Sequence, residues 1–228
     1  MKLSTTLLLI LFFTGCNQPG SVKKESSPIT DSIISDKSTD SLLPESEASK
    51  TQEKKDTVIN KKVDTALLMN TSEKILGFIK NRNYVKFALF IHPQEYVRFS
   101  PYAYVDTVNN KVLSAGHFLQ LAKQNKKIDW NSAFEGTEFL TVDEYFKKFV
   151  YDVDFINAEL KSINAYHSQG TDLNNIKEVY SGYDVVEFFF PGFEKKYEGL
   201  DFRALRLVYK TEKNKIFLVA IVHDKWTP

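Results

Sequence analysis

Cysteine is nearly absent from this chain of 228 residues: Cys16 is its only one, so no intrachain disulfide and no zinc cluster of cysteines can form. Histidine is scarce as well, with four residues that show no ligand spacing such as HExxH. No metal and no cofactor are therefore expected. Strong charge of one sign is missing too. The formal net charge is +1 with lysines and acids interspersed, which excludes the basic stripe of a nucleic-acid groove. Nucleotide-binding glycine loops, the nucleophile-elbow pattern and kinase signatures do not occur. Aromatic residues are missing from most of the first third. Phe12 and Phe13 stand alone until Phe78. A core needs large apolar side chains, so the folded part is confined to about the last 150–165 residues, enough for one domain.

What is present falls into three stretches: 1–15, 16–64 and 65–228. The first reads MKLSTTLLLILFFTG. Lys2 supplies a positive start and Leu7 to Phe13 an apolar run, too short to span the ~30 Å core of a bilayer. Small residues, Thr14 and Gly15, then precede the lone Cys16. This arrangement resembles the lipobox of bacterial lipoprotein signals, with Phe13 where a leucine is usual. The resemblance implies cleavage before Cys16 and acylation of its sulfur, with the lipid bilayer as a partner. Each buried CH2 of such an anchor contributes ~0.8 kcal/mol. It also implies a place in the cell envelope. Asn17, where an aspartate would signal inner-membrane retention, points to the outer membrane in a host that has one.

From Asn17 to about Asp64 the chain is rich in Ser, Thr, Asp, Glu and Lys and is punctuated by Pro19, Pro28 and Pro44. Such a segment buries too little to offset its ordering entropy and is expected to be a disordered tether. As a coil it would reach about 35–40 Å.

Residues 65–228 read as an α+β domain. Leu68, Ile75, Leu76 and Ile79 follow helical spacing over 65–80, and Asn81-Arg82-Asn83 breaks the helix. A short helix carrying Tyr84, Phe87, Ala88 and Ile91 ends at His92-Pro93. Strand character over 96–106 is interrupted by Ser100-Pro101, which predicts an edge strand or two short ones. Asp106 to Lys111 reads as a turn. Ser114 caps a helix to about Gln124, and Lys126 to Phe134 reads as a strand containing Trp130. Thr141 and Glu144 form a capping-box pattern ahead of a helix over 142–151. Phe155 to Tyr166 holds a strand, and Gly170 to Asn175 a loop. The sequence closes on three strands, 184–190, 201–209 and 215–224, expected as antiparallel neighbours. Helices first and a long meander last resemble the NTF2-like cone fold, which implies helices packed into a curved sheet with a pocket at its wide end. The segments VRFSPYAYVD (97–106), FKKFVYDVDF (146–155) and HDKWT (223–227) resemble bacterial lipoproteins or secreted domains, which implies no activity.

The candidate site residues are few. Arg206 shares a strand face with Phe202, Ala204 and Val208, so it either clamps an anionic ligand or pairs with Glu187 or Asp224. His223 and Asp224 are adjacent on a strand and point to opposite faces. His223 is either an acid-base group working with an acid from another element or a hydrogen-bonded histidine at the sheet rim. His92 either sits at a pocket mouth or caps helix carbonyls. His117 and His167 are expected at the surface. Arg98 among aromatics, Tyr102, Trp130 and Trp226 form either a ligand platform or core, with Trp226 a latch or a partner contact. The function these readings favour is a lipid-anchored envelope protein whose domain binds a small ligand or a partner without catalysis. Two alternatives stand beside it: an enzyme using His92 or His223, and an assembly subunit using the 191–199 loop and Trp226.

Overall fold

The computed structural model describes residues 64–131, 138–167 and 174–226. The expected signal segment, Cys16 and the tether to residue 63 lie outside the described residues, as do 132–134 of the expected Trp130 strand and 170–173 of the expected loop. Among the described residues no helix is long and apolar enough to cross a membrane.

The domain opens on α1 (Thr65–Lys80), whose first turn is held by the Asp64 carboxylate, which accepts the N–H groups of Ala66 and Leu67. Its buried stripe is Leu68, Ser72, Ile75, Leu76 and Ile79. The helix ends in a Schellman motif: Asn83 N–H bonds to Phe78 C=O at 2.8 Å and Arg82 N–H to Ile79 C=O at 3.0 Å. Arg82 occupies the left-handed position that glycine usually fills, at φ 53°. The short α2 (Tyr84–Ala88) follows at once, capped by the Asn83 side chain. Then come β1 (Val97–Ser100), β2 (Lys111–Leu113) and α3 (Ala115–Gln124), with Ser114 capping α3 as the sequence predicts. A two-stranded ladder of β3 (Ile128–Asp129) and β4 (Phe139–Leu140) leads to α4 (Val142–Phe149). The capping box of α4 is complete: Thr141 Oγ1 accepts from Glu144 N–H, and the Glu144 carboxylate accepts from Thr141 N–H.

The second half supplies β5 (Leu160–Ile163), a single helical turn α5 (Ile176–Val179), β6 (Asp184–Phe190), β7 (Arg203–Glu212) and β8 (Lys215–Lys225). The main sheet runs in the order β2-β1-β8-β7-β6-β5. All its pairs are antiparallel except β1 with β8. The β7–β8 hairpin turns on Lys213 and Asn214, both at positive φ, the signature of a two-residue type I′ turn. The architecture is α+β, with helices on a mostly antiparallel sheet.

Three local expectations change. β1 is an interior strand, flanked by β2 and β8, rather than an edge. Pro101 lies beyond the last laddered residue, so its missing N–H breaks no pairing. The turn expected over 106–111 stops one residue early, where Lys111 opens β2. The Asp106 carboxylate closes it by accepting the N–H groups of Val108 and Asn109. The strand expected over 126–134 is regular only at Ile128 and Asp129 among its described residues.

Alternation in β7 divides the sheet into two faces. Leu205, Leu207 and Tyr209 join Val186, Phe188 and the apolar stripes of α1 to α4 in the main core. Rings from several elements fill this core. Trp130 stacks on Tyr145 with centroids 3.9 Å apart and meets Phe99 edge-on at 5.5 Å. Phe118 stacks on Phe99 and packs against Phe87 and Phe146. On the opposite face Val185, Val208, Val219, Ala220 and Val222 pack under Ile176, Tyr166, Val179, Tyr180 and Tyr183.

Candidate functional site

Arg206 lies on the second face and is fully buried. Its Nε donates to Glu187 Oε2 at 2.8 Å and its Nη2 to Asp224 Oδ2 at 2.9 Å. Register explains this: Glu187 is the direct cross-strand partner of Arg206 in β6, and Asp224 lies on the same face of β8, two pairs along from the partner of Arg206. The guanidinium also sits 5.2 Å from the centroid of Tyr166. Both acids named from the sequence are therefore engaged at once. Arg206 is committed to a buried ion-pair network and lines neither cleft described below. His167 belongs to this network rather than to open surface. Its N–H donates to Glu187 Oε1 and its ring stacks on Phe189.

His223 and Asp224 do point to opposite faces. His223 is buried, not at the rim. Its Nε2 lies 3.0 Å from Asp152 Oδ1 and its Nδ1 lies 3.4 Å from the Pro101 carbonyl. Both partners are acceptors, so whichever ring nitrogen carries the proton has an oxygen to donate to. The second oxygen of Asp152 accepts from Arg203 Nε at 2.9 Å. Burial pushes the Asp152 carboxyl up, but His223 and Arg203 outweigh it and hold it below the usual carboxylate range. This is the acid from another element that acid-base chemistry would require. The trio is nonetheless closed, with Phe155 edge-on to the imidazole.

His92 is also buried, and its chemistry is the reverse of carbonyl capping. Its Nδ1 accepts the N–H groups of Gln94 and Glu95 at 3.1 and 2.9 Å. The ring proton therefore sits on Nε2, which faces Glu212 Oε1 at 3.4 Å. His92, Glu95 and Glu212 bring three potential metal-ligand atoms within 4.8 Å. They do not fit a metal: Nε2 carries a proton, and the Lys210 ammonium already pairs with both acids. The hydrogen bond to Glu212, and then that to Glu95, push the Lys210 pKa up.

The remaining candidates are structural. Trp130 is buried and donates its Nε1–H to Leu140 C=O at 2.9 Å, so it is core rather than a platform. Tyr102 is buried against Phe149. Arg98 Nη1 gathers the carbonyls of Asp106, Thr107 and Asn110 and so organises the turn before β2. His117 is exposed on α3. Trp226 is exposed just past β8.

The feature that sequence reasoning missed is a surface cleft of about 230 Å3 where the end of α1 meets α4. Ile79 and Phe146 line it together with Lys80, Arg82, Tyr84, Asp143, Lys147 and Tyr151. Two tyrosine–carboxylate–cation groups flank it. Tyr84 OH donates to Asp143 Oδ1 at 2.5 Å, and Arg82 Nη1 reaches the other oxygen at 3.1 Å. Tyr151 OH donates to Asp154 Oδ1 at 2.5 Å, and Lys80 binds the same carboxylate. The Lys80 and Tyr151 hydrogen bonds hold Asp154 down at about 2. Burial, and then the Asp143 hydrogen bond, push the Tyr84 hydroxyl up. Lys147 makes no ion pair with a described residue. The one signal in the sequence was Asn81-Arg82-Asn83: a helix stop without glycine forces another residue into the left-handed position. A second cleft of about 170 Å3 lies on the other face, beside Tyr166, Tyr180 and Tyr183.

The fold and these sites define a closed α+β domain whose interior charges are paired and whose open chemistry lies at its surface. Comparison with protein-family patterns, with characterised proteins and with solved structures finds no match.

Proposed function

We propose that the chain is a lipid-anchored envelope lipoprotein, acylated at Cys16, whose domain binds a small anionic, hydroxyl-bearing ligand without catalysis. The cleft at the end of α1 is the binding site. One observation carries this reading: two cations, Arg82 and Lys147, line a single cleft together with the Asp143 carboxylate. The Schellman turn that ends α1 sets the Arg82 backbone and carries its side chain to the cleft, where Lys147 makes no ion pair with a described residue. Arg82 and Lys147 would hold a carboxylate or phosphate, while Asp143 accepts ligand hydroxyls.

The NTF2-like cone is our finer reading of the fold, supported by its order of elements. The space that such a cone would leave as a pocket holds Phe99, Phe118, Trp130 and Tyr145. That filling favours an external site over an internal one, and binding over the histidine enzyme, because neither His92 nor His223 lines either cleft described above.

The test is a thermal-shift screen of the full chain against cell-wall glycan fragments and small phosphorylated or carboxylated metabolites. A ligand at ~100 times its Kd adds about 2.7 kcal/mol, several degrees for a domain of this size. Lys147→Ala should abolish the shift. Arg82→Gly should also abolish it, while raising the melting point without ligand, since relief of the backbone strain exceeds the loss of an exposed ion pair. A shift that survives both changes would rule this cleft out.

A further inference from the structure

One end of the sheet displays large apolar side chains that the core does not use. Phe190 at the end of β6 pairs with Arg203 at the start of β7, and Arg203 pairs with Lys225 of β8. The register therefore brings the 191–202 loop and Trp226 to the same end. There Phe193 and Leu200 are each 51% exposed, Trp226 48% and Tyr197 43%.

The loop that carries them is built, not slack. The Asp201 carboxylate accepts the N–H groups of Phe193 and Glu194 at 3.0 and 2.8 Å. Lys195–Tyr197 form a 3-10 turn. Gly199, at φ 85°, lets the loop close so tightly that a Cβ there would lie 3.1 Å from the Pro191 carbonyl. The Phe193 ring rests 5.4 Å from that of Phe190. A pre-ordered tip loses little conformational entropy when it binds.

The composition of the tip matches one kind of surface. Trp, Tyr, Phe and Leu beside Lys195, Lys196 and Lys225 are the residues that settle at a lipid–water interface, with rings at headgroup depth and lysine stems reaching outward. The acids oppose this little. Glu194 is paired with Lys196 at 2.6 Å, and Asp201 faces the loop's own N–H groups, which leaves Glu198. A protein partner fits less well: a stable interface uses about 20–30 residues a side, and this is a tip of four apolar side chains. A few inserted side chains suffice at a bilayer when an anchor already keeps the domain near it.

We propose that this tip docks on the lipid bilayer and lays the domain against the membrane. The inference rests on the lipid-anchor reading of Cys16 and is separable from it by experiment. Trp226 is a built-in reporter, because the other tryptophan, Trp130, is buried in the core. The acylated full chain is reconstituted into vesicles of phosphatidylethanolamine with a minority of phosphatidylglycerol, with plain or brominated acyl chains. Expected are flotation with the vesicles and loss of Trp226 emission in the brominated ones. The variant Phe193→Ser, Tyr197→Ser, Leu200→Ser should float equally and melt like wild type, yet keep its emission.

A chain that floats without quenching overturns the docking and leaves the anchor standing. Quenching that persists in the triple variant overturns it too. If wild type does not float, the anchor reading fails. Titrating the chain with excess brominated vesicles then decides: quenching supports the tip and none overturns it. A tip silent on pure lipid but shielded from aqueous quencher in whole envelopes would belong to a protein partner, and the bilayer proposal would fall.

Discussion

The two faces of β7 solve the same burial problem with different chemistry. Toward the helices, Leu205, Leu207 and Tyr209 enter an apolar core stacked with rings, and the buried Tyr209 hydroxyl finds Ser72 at 2.8 Å. Toward the other side, Ala204 and Val208 flank Arg206, Glu187 and Asp224, under a thinner cover that includes Tyr166 and α5. The first face gains free energy from each methylene it removes from water. The second gains little net, because desolvating three charges offsets their attraction. What the second face obtains is a fixed pairing, since the ion pairs lock β6, β7 and β8 in a single register. As a hypothesis, the helical face supplies stability and the opposite face supplies uniqueness.

The largest expected effect separates these roles. Arg206→Ala leaves two buried carboxylates together and should cost ~3–5 kcal/mol. Replacing the trio at once, Arg206→Met with Glu187→Leu and Asp224→Leu, should recover most or all of that loss. Urea unfolding measures both. A triple variant as unstable as the single one would mean that the network contributes stability in its own right, and the contrast between the faces would collapse. Recovered stability with broadened amide signals in the sheet would instead sharpen it.

A smaller effect should appear in acid at the helical side of the sheet. Asp152 and Asp154 are both held below the ordinary 3.8, Asp154 at about 2. The unfolded chain binds their protons first, so their stabilisation is complete above pH ~4 and is lost as pH falls toward ~2. Asp154 is partly exposed, so its share is screened. Asp152→Asn should flatten the fall in urea midpoint below pH ~4 and make it shallower than in wild type. An unchanged acid slope would show that the His223–Asp152–Arg203 trio does not govern this end of the sheet.

How much of this was legible in the sequence depends on how far apart the partners lie. Arg206 with Glu187 and Asp224 could be read from alternation, because the three strands are consecutive and joined by short connections. α4 could be read from its own cap and stripe. The parallel pairing of β1 with β8 could not, since more than half of the domain separates the two strands and nothing local marks it. The same holds for Asp152, which meets His223 only because α4 ends beside β8. The cleft is built from the end of α1, the start of α2, α4 and the residues after it, so no single window contains it. Arg98, Tyr102 and Trp130 could be read either as a platform or as core, because an aromatic stripe has the same pattern whether it is buried or exposed. Packing decides between the two, and here the helices cover it.

The smallest prediction examines the helical face on its own terms. Unlike the Tyr209 hydroxyl, which meets Ser72, the Tyr145 hydroxyl on this face is fully buried and has no hydrogen-bond partner. Burial, with the nearby Tyr102 hydroxyl adding to it, pushes its pKa well up, so it stays a neutral phenol at any ordinary pH. A buried donor without a partner costs about 1–3 kcal/mol of desolvation. Its ring, in contrast, is well used, stacked on Trp130 and packed against Phe99 and Phe149. Tyr145→Phe keeps those contacts and removes the orphan hydroxyl, so it should be neutral or stabilising by up to ~1 kcal/mol. If the helical face is stabilised by apolar burial alone, the urea midpoint will hold or rise. A loss above ~1 kcal/mol would mean that the hydroxyl has a partner, such as an internal water, and that this face too relies on buried polar pairing.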